Sequence, residues 1–468
     1  MADTTTPHRL FKEEQLDAQG QNVRLSRLYT QLCLCFSLPT KDSYSISDVV
    51  THTLETGLKR LATHFPWVAG QVVYEGSAFK IKPFEDLPLL FVKDLRSQLP
   101  AFSEYRAAGF PFRMLDENFI APRNTLPERF GEPAPVMLLQ ATIVHGGVLL
   151  VASGQHNCMD IRGQTQILHL LAKACRSEKY SEEEMQEGNL PRADIIPLLK
   201  EYDGSRAEEP TLPQNRAEGA KRDTPTRDPN VKQQRSCWTY FLFSRLSLAS
   251  LKALALESLS SGFVSTDDVL SAFIWQAITR TRLARSGFPA KNTATSTTLD
   301  RQVDARKHLG IPTAYTGNVV HKVSTTLPMQ RLCEMPLGHL ASHLRKCLQT
   351  SNTAYEVRRA ATKAQKSRVR VPQSSSFGTP GTHRSTLPLT DVRISSWAKE
   401  ECYHLDFGGL LGKPEAVRRP SFEAWEGLVY ILPRRPDGEL AVAVCLRPED
   451  VLTLRNDEGF LKYCDHAV

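Results

Sequence analysis

The chain has 468 residues, of which 41% are hydrophobic and 23% charged, so it is long enough to form two globular domains with sizeable cores. Its net charge of +7 is spread along the sequence, which does not favour a nucleic-acid-binding protein and suits an anionic, phosphorylated ligand. Ten cysteines without a C-x-x-C pair, a polar N-terminus and the lack of a long apolar run predict a soluble cytoplasmic protein without a zinc site, signal peptide or membrane span.

The first half of the chain alternates predicted strands with predicted helices. Its elements are a strand at 25–38, a helix capped by Ser47 and ended by Pro66, a short hairpin of 71–75 and 79–82, a strand at 87–93, and a second hairpin of 136–144 and 148–153. A helix that ends near Arg176 follows, and Ser181 opens another short helix. Gly146 and Gly147 supply the turn of the second hairpin, which therefore leads directly into residues 154–160.

His156 lies in this segment, where a buried strand is predicted to open into a loop, and Asp160 stands at the start of the next helix. Of the thirteen histidines, only His156 has an aspartate at the fourth following position. A neutral imidazole there can accept a proton from a hydroxyl, and a carboxylate at a helix start can cap free backbone N–H groups. The residues alone leave two interpretations open: a general base on a loop fixed by Asp160, or a helix-capping aspartate beside a polar histidine.

Residues 204–235 are polar and contain four prolines, a composition typical of a linker. They divide the chain into a predicted N-terminal domain, 1–203, and a predicted C-terminal domain, 236–468. The elements of the second half are strands at 238–243, 293–303, 319–325 and 392–398, helices through 248–256, 265–278 and 337–348, a turn at 315–318, a hairpin of 428–432 and 440–446, and a closing helix from Pro448. Both halves mix strands with helices, which predicts two α/β domains of similar size with a ligand-binding groove between them.

Seven short stretches, taken together and in this order, resemble the fungal branch of the BAHD acyl-CoA-dependent acyltransferases. They are PWVAGQV (66–72), DEN (116–118), GQH (154–156) with Asp160, FVSTDD (263–268), VDAR (303–306), SSWAK (395–399), and DFG (406–408) with GKPE (412–415). The resemblance implies an α/β (α+β) fold of two chloramphenicol-acetyltransferase-like domains with mixed sheets. It also implies an inter-domain tunnel that acyl-CoA and an acceptor alcohol enter from opposite mouths.

The resemblance further implies a role for each matching residue. His156 would be the general base, and Asp160 would turn away from the substrate toward Arg306. The other implied roles are structural support by Asp406, Phe407 and Gly408, contact with CoA by Ser395, Ser396 and Trp397, and a tunnel wall formed by Tyr315, Gly317 and Asn318. The 406–408 loop continues as GLLG (409–412), whereas the plant enzymes have Trp-Gly after the same motif.

The expected reaction is transfer of acetyl from acetyl-CoA to a hydroxyl of a trichothecene-like or other fungal secondary metabolite, with acetyl-CoA as cosubstrate and no permanently bound cofactor. Cys158 offers an alternative route through an acyl-enzyme, but direct transfer needs no such nucleophile. The oxyanion of the tetrahedral intermediate needs a stabilising donor, for which the sequence offers no motif. A monomer without metal, nucleic acid or membrane partners is expected.

Three further alternatives remain open at this stage. The same fold would serve a longer acyl-CoA, a carrier-bound acyl donor or an amine acceptor. A non-catalytic homologue would bind the metabolite without turning it over. A metal hydrolase built on His156 and Asp160 would need a third ligand at a suitable spacing.

Overall fold

The computed structural model describes residues 11–39, 43–84, 89–127, 133–202, 236–259, 261–285, 295–368, 390–423 and 425–467. The predicted linker at 204–235 lies outside these residues. Within the described ranges the fold is a mixed α/β architecture, as the sequence predicted, and the strands form three sheets.

The strands of the described residues are β1 (Glu14–Gln15), β2 (Tyr29–Ser37), β3 (Gly70–Glu75), β4 (Ala78–Pro83), β5 (Leu90–Asp94), β6 (Ala134–Pro135), β7 (Met137–Val144), β8 (Gly147–Gln155), β9 (Cys237–Phe243), β10 (Ser296–Asp304), β11 (Val320–Pro328), β12 (Val392–Ser396), β13 (Ala416–Arg418), β14 (Leu428–Ile431), β15 (Leu440–Leu446) and β16 (His466–Ala467).

The α-helices of the described residues are α1 (Ser43–His64), α2 (Phe102–Ala107), α3 (Glu117–Ile120), α4 (Ile161–Cys175), α5 (Glu182–Gly188), α6 (Arg245–Glu257), α7 (Thr266–Ala284), α8 (Arg306–Leu309), α9 (Met329–Glu334), α10 (Leu337–Thr350), α11 (Thr353–Arg368), α12 (Pro448–Arg455) and α13 (Glu458–Leu461).

The N-terminal half contains a five-stranded sheet of order β13-β2-β8-β7-β5. Strands β2, β7 and β8 are buried along nearly their whole length, as their continuous apolar sequences predict for strands covered on both faces. β2 pairs antiparallel with β8 from Tyr29 opposite Gln155 to Ser37 opposite Gly147. This central pair ends immediately before His156 and fixes the start of its loop.

The C-terminal half contains a seven-stranded sheet of order β11-β10-β12-β14-β15-β9-β16. β12 pairs parallel with both β10 and β14, and the remaining pairs are antiparallel. Helix α7 packs on this sheet and is buried on most of its surface, including Trp275, whose indole N–H donates to the Thr297 hydroxyl at 3.0 Å. A smaller antiparallel sheet, β1-β4-β3-β6, completes the N-terminal half.

One of the hydrophobic core clusters spans both halves, while a second large cluster lies within the C-terminal half. The core around β2, β7, β8 and α4 also contains apolar residues of the seven-stranded sheet and its margin, which are Tyr240, Leu242, Trp397, Leu432, Ala441 and Ala443. In addition, β13 leaves the C-terminal half of the chain and pairs with β2, with Val417 opposite Leu34. The contact between the halves is therefore built from both packed side chains and a shared sheet.

Several predicted bounds were wrong by a few residues. Residues 25–27, predicted as the start of a strand, form a 3₁₀ turn because local bonds, such as that from the Leu25 N–H to the Asn22 carbonyl, compete with strand pairing. The first helix begins at Ser43 rather than near Ser47. Strand β13 was missed because a three-residue strand followed by Arg419 and a proline has the pattern of a loop.

Candidate active site

The β7–β8 hairpin brings His156 to the junction of strand and helix. β8 ends at Gln155, whose side-chain amide donates to the Ser26 carbonyl at 2.8 Å, and the His156 N–H donates to the Leu28 carbonyl at 2.9 Å. Asn318, from the second half of the chain, donates to the His156 carbonyl at 2.9 Å. The backbone of His156 is thus held from both halves, which leaves the imidazole as its free functional group.

One ring nitrogen of His156 is committed to the loop itself. Nδ1 lies 3.2 Å from the Met159 carbonyl oxygen. Because a carbonyl oxygen only accepts, Nδ1 must carry the ring proton in the neutral imidazole, and Nε2 keeps its lone pair. His156 is partly exposed, whereas the residues on each side of it are buried. Nε2 is therefore the ring nitrogen that is left unprotonated and able to accept a proton.

Burial lowers the pKa of His156 below its ordinary value of 6.5. The bond to the Met159 carbonyl and the carboxylate of Asp160 act in the opposite direction, while the cation of Arg419 lowers the pKa further. The net result favours a neutral imidazole at neutral pH, which is the form that can remove a proton from a hydroxyl.

Asp160 is the N-cap of α4 and is 2% exposed. Its Oδ1 accepts from the Gly163 N–H and from Arg306 Nη2, each at 2.9 Å, and its Oδ2 accepts from Arg306 Nη1 and from the Val319 N–H, each at 2.9 Å. Four donors fill the lone-pair sites of the carboxylate. Asp160 is thus occupied by structural contacts and acts on His156 through the loop and its charge.

Arg306 is fully buried and uses all five of its guanidinium N–H donors. Besides the two bonds to Asp160, it donates to Asp304 Oδ1 at 2.9 Å, to the Tyr315 carbonyl at 3.1 Å and to the Gly317 carbonyl at 2.7 Å. The planar fork matches the carboxylate in a bidentate pair. The pair joins the start of α4 in the first half to β10 and the 315–319 segment in the second.

The 315–318 segment lies close against α4, and glycine makes this approach possible. A Cβ on Gly163 would come within 2.1 Å of the Thr316 carbonyl oxygen, and a Cβ on Gly317 within 2.2 Å of the Tyr315 hydroxyl. Tyr315 is fully buried in a cluster with residues of the second half and with Ile196. Within this segment the residue that contacts the catalytic loop directly is Asn318.

Ser395, Ser396 and Trp397 lie at the end of β12. Trp397 donates its indole N–H to the Ser395 hydroxyl at 3.0 Å, and Ser396 donates to Asp267 Oδ1 at 2.6 Å. Trp397 is 2% exposed and packs against Tyr430 with ring centroids 5.0 Å apart. Trp397 thus belongs to the core cluster shared with the N-terminal half, whereas Ser396 is directed toward α7.

Asp406, Phe407 and Gly408 lie at the opposite end of the N-terminal sheet from His156. Phe407 packs edge-on against Phe36 of β2, with ring centroids 5.4 Å apart, and the Asp406 carbonyl accepts from Arg176 just beyond the end of α4. Since α4 has fifteen residues, its two ends lie about 22 Å apart. The positive φ of Gly408, 69°, suits a tight structural loop.

The structure also reveals two arginines that the sequence reading did not single out. The guanidinium of the buried Arg192 stacks over the ring of Trp67 at 3.8 Å and donates to the Cys158 carbonyl at 3.5 Å. Arg192 therefore supports the loop that carries His156. Arg419, just after β13, is 3% exposed and lies 4.3 Å from the ring centre of Phe422. In the sequence, Arg419 is marked only by the pair of arginines at 418–419. Because this pair follows a short strand that was not predicted, Arg419 was not recognised as a buried residue.

The described residues contain no cluster of three or more histidine, cysteine or acidic side chains arranged to hold a metal ion. Among the described helices, none has the length and apolar character that crossing a membrane requires.

Comparison with known proteins places this geometry in a family. A family model for the N-terminal domain of trichothecene 3-O-acetyltransferase-like proteins matches residues 28–175, which run from the start of β2 to the end of α4. The O-acetyltransferase dmxR13 of Cryptosporiopsis sp. is 44% identical, with 96% of each chain covered. The trichothecene 3-O-acetyltransferase TRI101 of Fusarium sporotrichioides is 39% identical over the full length of both chains.

The crystal structure of the F. sporotrichioides enzyme complexed with coenzyme A and T-2 superposes with a TM-score of 0.81, covering 97% of this chain and 99% of that one. Vinorine synthase, at 14% identity, shares the fold with a TM-score of 0.60, covering 96% of this chain and 92% of that one.

Proposed function

The chain belongs to the trichothecene 3-O-acetyltransferase-like branch of the BAHD acyltransferases, and we propose that it transfers acetyl from acetyl-CoA to a hydroxyl of a trichothecene-like or other fungal secondary metabolite, with His156 as general base. The observation that carries the proposal is the partly buried His156 ring, whose Nδ1 is committed to the Met159 carbonyl and whose Nε2 is free to accept a proton.

The reaction needs a base because an alcohol is a weak nucleophile at neutral pH. Nε2 of His156 takes the hydroxyl proton as the oxygen attacks the thioester carbonyl, and the resulting imidazolium then protonates the departing CoA sulfur. Assistance of this kind contributes on the order of 10²–10⁴ in rate. Holding both reactants between the two halves of the chain supplies a further large share by proximity.

Direct transfer is supported over an acyl-enzyme by the state of the nearest thiol. Cys158 is fully buried, and burial raises the pKa of its thiol far above the ordinary value. A thiol that does not ionise at neutral pH is a poor nucleophile. The ternary complex of alcohol, acyl-CoA and His156 is therefore the proposed reacting state.

The proposed acceptor and donor follow from the relatives and are tested by turnover. Purified protein with acetyl-CoA and a panel of trichothecene and other sesquiterpenoid alcohols should yield the ester, detected by mass spectrometry, and free CoA in equal amount. Longer acyl-CoAs, carrier-bound acyl groups and amine acceptors belong in the same panel, since a faster reaction with one of them would redefine the substrate. If the protein binds these compounds but releases no free CoA, it is a binding protein and not an acetyltransferase.

His156→Ala is the decisive variant. It should lower kcat by about 10²–10⁴-fold while the circular dichroism spectrum stays unchanged. His52→Ala, which removes an exposed histidine on α1, is the matched control and should retain full activity. Equal activity of wild type and His156→Ala would remove His156 from its proposed role.

The proposed working state is a cytoplasmic monomer of two domains, 1–203 and 236–468, connected through 204–235. All ten cysteines are free, which suits a reducing compartment. The shared core and the insertion of β13 into the N-terminal sheet support the view that the two domains work as one unit. Light scattering of the purified protein and microscopy of a fluorescent fusion test these points.

A further inference from the structure

Arg419 is a buried cation that forms no ion pair with a described carboxylate. The buried Glu117 carboxyl lies in its field: burial raises the pKa of Glu117, and the Arg419 charge opposes that shift. The backbone of Arg419 is fixed by Tyr240, whose hydroxyl accepts from the Arg419 N–H at 3.0 Å and donates to the Arg419 carbonyl at 3.1 Å. The side chain of Arg419, in contrast, has no polar partner. Its Nε is buried without a hydrogen-bond partner, and none of the described residues accepts a hydrogen bond from the guanidinium. An unpaired buried charge is costly unless something else interacts with it.

Three aromatic rings hold the guanidinium in place. Its central carbon lies 4.3 Å from the ring centre of Phe422, 4.6 Å from that of Tyr430 and 5.6 Å from that of Trp397. Aromatic faces attract a cation without neutralising it. The Arg419 cage, defined by Phe422, Tyr430 and Trp397, therefore orients the charge and leaves its hydrogen-bond donors available.

The cage lies where the two halves of the chain meet. Arg419 directly follows β13, which pairs with β2 of the N-terminal sheet, while Trp397 and Tyr430 belong to the C-terminal sheet and its margin.

The segment that follows Arg419 is hydrogen-bonded to the strand end that carries His156. The Ser421 carbonyl accepts from the Glu117 N–H at 3.2 Å, and the Glu117 carboxylate accepts from the Thr125 N–H at 2.6 Å. The Thr125 carbonyl in turn accepts from the N–H of Tyr29, which pairs with Gln155 next to His156, and the Arg419 charge lowers the pKa of the His156 imidazole. The unpaired charge and the catalytic base thus share one region.

The reaction produces one transient anion in this region. When the alcohol oxygen attacks the thioester carbon, the new C–O bond forms as the carbonyl π electrons move onto the carbonyl oxygen, and His156 takes the alcohol proton. When the oxyanion collapses, the C–S bond breaks and His156 returns the proton to sulfur. Between these steps the oxyanion needs a donor.

Resting on the proposed function, we propose that the Arg419 guanidinium is a further catalytic residue, which stabilises the thioester oxyanion as it forms. Arg306 is unsuited to this task because its five donors are already used. A donor with a fixed orientation and no competing partner needs no reorganisation when the charge develops, which is the property that makes such groups effective.

The test compares Arg419→Met, Arg419→Lys and Arg418→Met with the wild type, using an acceptor that the wild type acetylates. Arg418 is the matched control because it is adjacent and equally buried, and its Nε likewise has no hydrogen-bond partner. It differs in that its Nη1 and Nη2 donate to the Val417 and Gly109 carbonyls. Steady-state kinetics give kcat and KM, calorimetry gives the affinity for CoA, and the pH dependence of kcat/KM gives the acid limb.

We expect Arg419→Met to lower kcat by about 10²–10³-fold, the usual loss when one oxyanion donor is removed, with CoA affinity unchanged. Its acid limb should move to higher pH because the cation that lowers the pKa of His156 is gone. Arg419→Lys keeps the positive charge but loses the planar, two-pronged guanidinium, and its kcat should be about tenfold below that of the wild type. Arg418→Met should keep wild-type kcat and its acid limb.

Two results would overturn the inference. A rise in KM or in the CoA dissociation constant at unchanged kcat would make Arg419 a binding site for a substrate carboxylate or a CoA phosphate. Equal losses in Arg419→Met and Arg418→Met, with the acid limb in place, would reduce Arg419 to a packing role. Should Arg419→Met not fold, the same two criteria apply to Arg419→Lys. If the wild type itself turns over no donor and acceptor pair, the proposed function fails, and the inference falls with it.

Discussion

Two buried arginines near His156, the proposed general base, have opposite surroundings. Arg306 makes hydrogen bonds with all five of its donors and pairs with a carboxylate that is itself saturated. Arg419 has an aromatic cage in place of polar partners among the described residues. A saturated network stabilises one conformation, whereas an unsaturated donor retains the capacity to bind something else.

The difference follows from what each arginine connects. Arg306 bridges the start of α4 in one half to β10 and the 315–319 segment in the other, so its bonds fix the relative position of the two halves at His156. Arg419 lies at the same junction, and its side chain contacts aromatic rings but makes no hydrogen bond to a described residue. The arginine whose donors are all hydrogen-bonded thus holds the structure together, whereas the arginine with free donors is the one proposed to take part in the reaction.

Arg306→Met should give the largest loss of stability. It leaves the buried Asp160 carboxylate without its cation, and breaking a buried pair from one side costs about 3–5 kcal/mol. Urea unfolding followed by circular dichroism measures the loss. Arg435→Met, which breaks a partly exposed contact with Asp437, is the control and should cost no more than about 1 kcal/mol. Equal losses in the two variants would mean that the Asp160–Arg306 network is not the main support.

Asp160→Asn should have an intermediate effect. The amide keeps one acceptor oxygen but turns an NH₂ group toward donors of Arg306 or of the backbone, which costs about 1–3 kcal/mol. The loop carrying His156 should loosen, so kcat should fall together with stability. Asp304→Asn alters a half-exposed partner of the same arginine and should do much less to either quantity. A normal kcat in Asp160→Asn would show that His156 keeps its position without this carboxylate.

Arg419→Met should leave stability nearly unchanged, even though it removes an equally buried arginine. Arg419 forms no salt bridge with a described carboxylate, and its charge acts on the buried Glu117 carboxyl only through space, so the free energy of unfolding should stay within about 1 kcal/mol of wild type. Urea unfolding beside Arg306→Met makes the comparison direct. A loss as large as that of Arg306→Met would mean that Arg419 is part of the scaffold.

Much of this arrangement was predictable from the sequence because it is local. The N-cap role of Asp160 and the hairpin that ends before His156 depend on neighbouring residues and on regular periodicity. The resemblance to a family supplied the long-range pair with Arg306, which lies 146 residues away and which no periodicity could have indicated.

The Arg419 cage could not be predicted in this way. Its parts come from the end of β13, from β14 and from the end of β12, and each is unremarkable on its own strand. An arginine after a short apolar strand has the composition of an exposed loop. Arg419 is distinguished by the lack of an ion pair with any described carboxylate. This lack can be seen only when the spatial neighbours of the arginine are known.

The acid limb of activity is expected below pH 6.5. Burial and the Arg419 cation both lower the pKa of His156, so its imidazole stays neutral, and able to accept a proton, at a pH where an exposed histidine is already protonated. Activity is lost only as the pH falls through this lowered pKa. The pH profile of kcat/KM, which reports groups of the free enzyme, measures it. A midpoint above 6.5 would mean that Asp160 and the Met159 carbonyl dominate the ring instead.

The smallest effect is expected from Cys158→Ala, although this residue lies only two positions from the base. Its thiol is buried, its raised pKa keeps it protonated, and its sulfur contact is a long one of 3.8 Å to Asn157. Removing it should leave kcat within about twofold of wild type, because transfer passes directly from thioester to alcohol and buried cysteine is chemically inert. The same measurement without acceptor should show no burst of free CoA from either protein. A burst from wild type that Cys158→Ala abolishes would establish an acyl-enzyme, and the oxyanion beside Arg419 would then also form when the alcohol attacks the cysteine thioester.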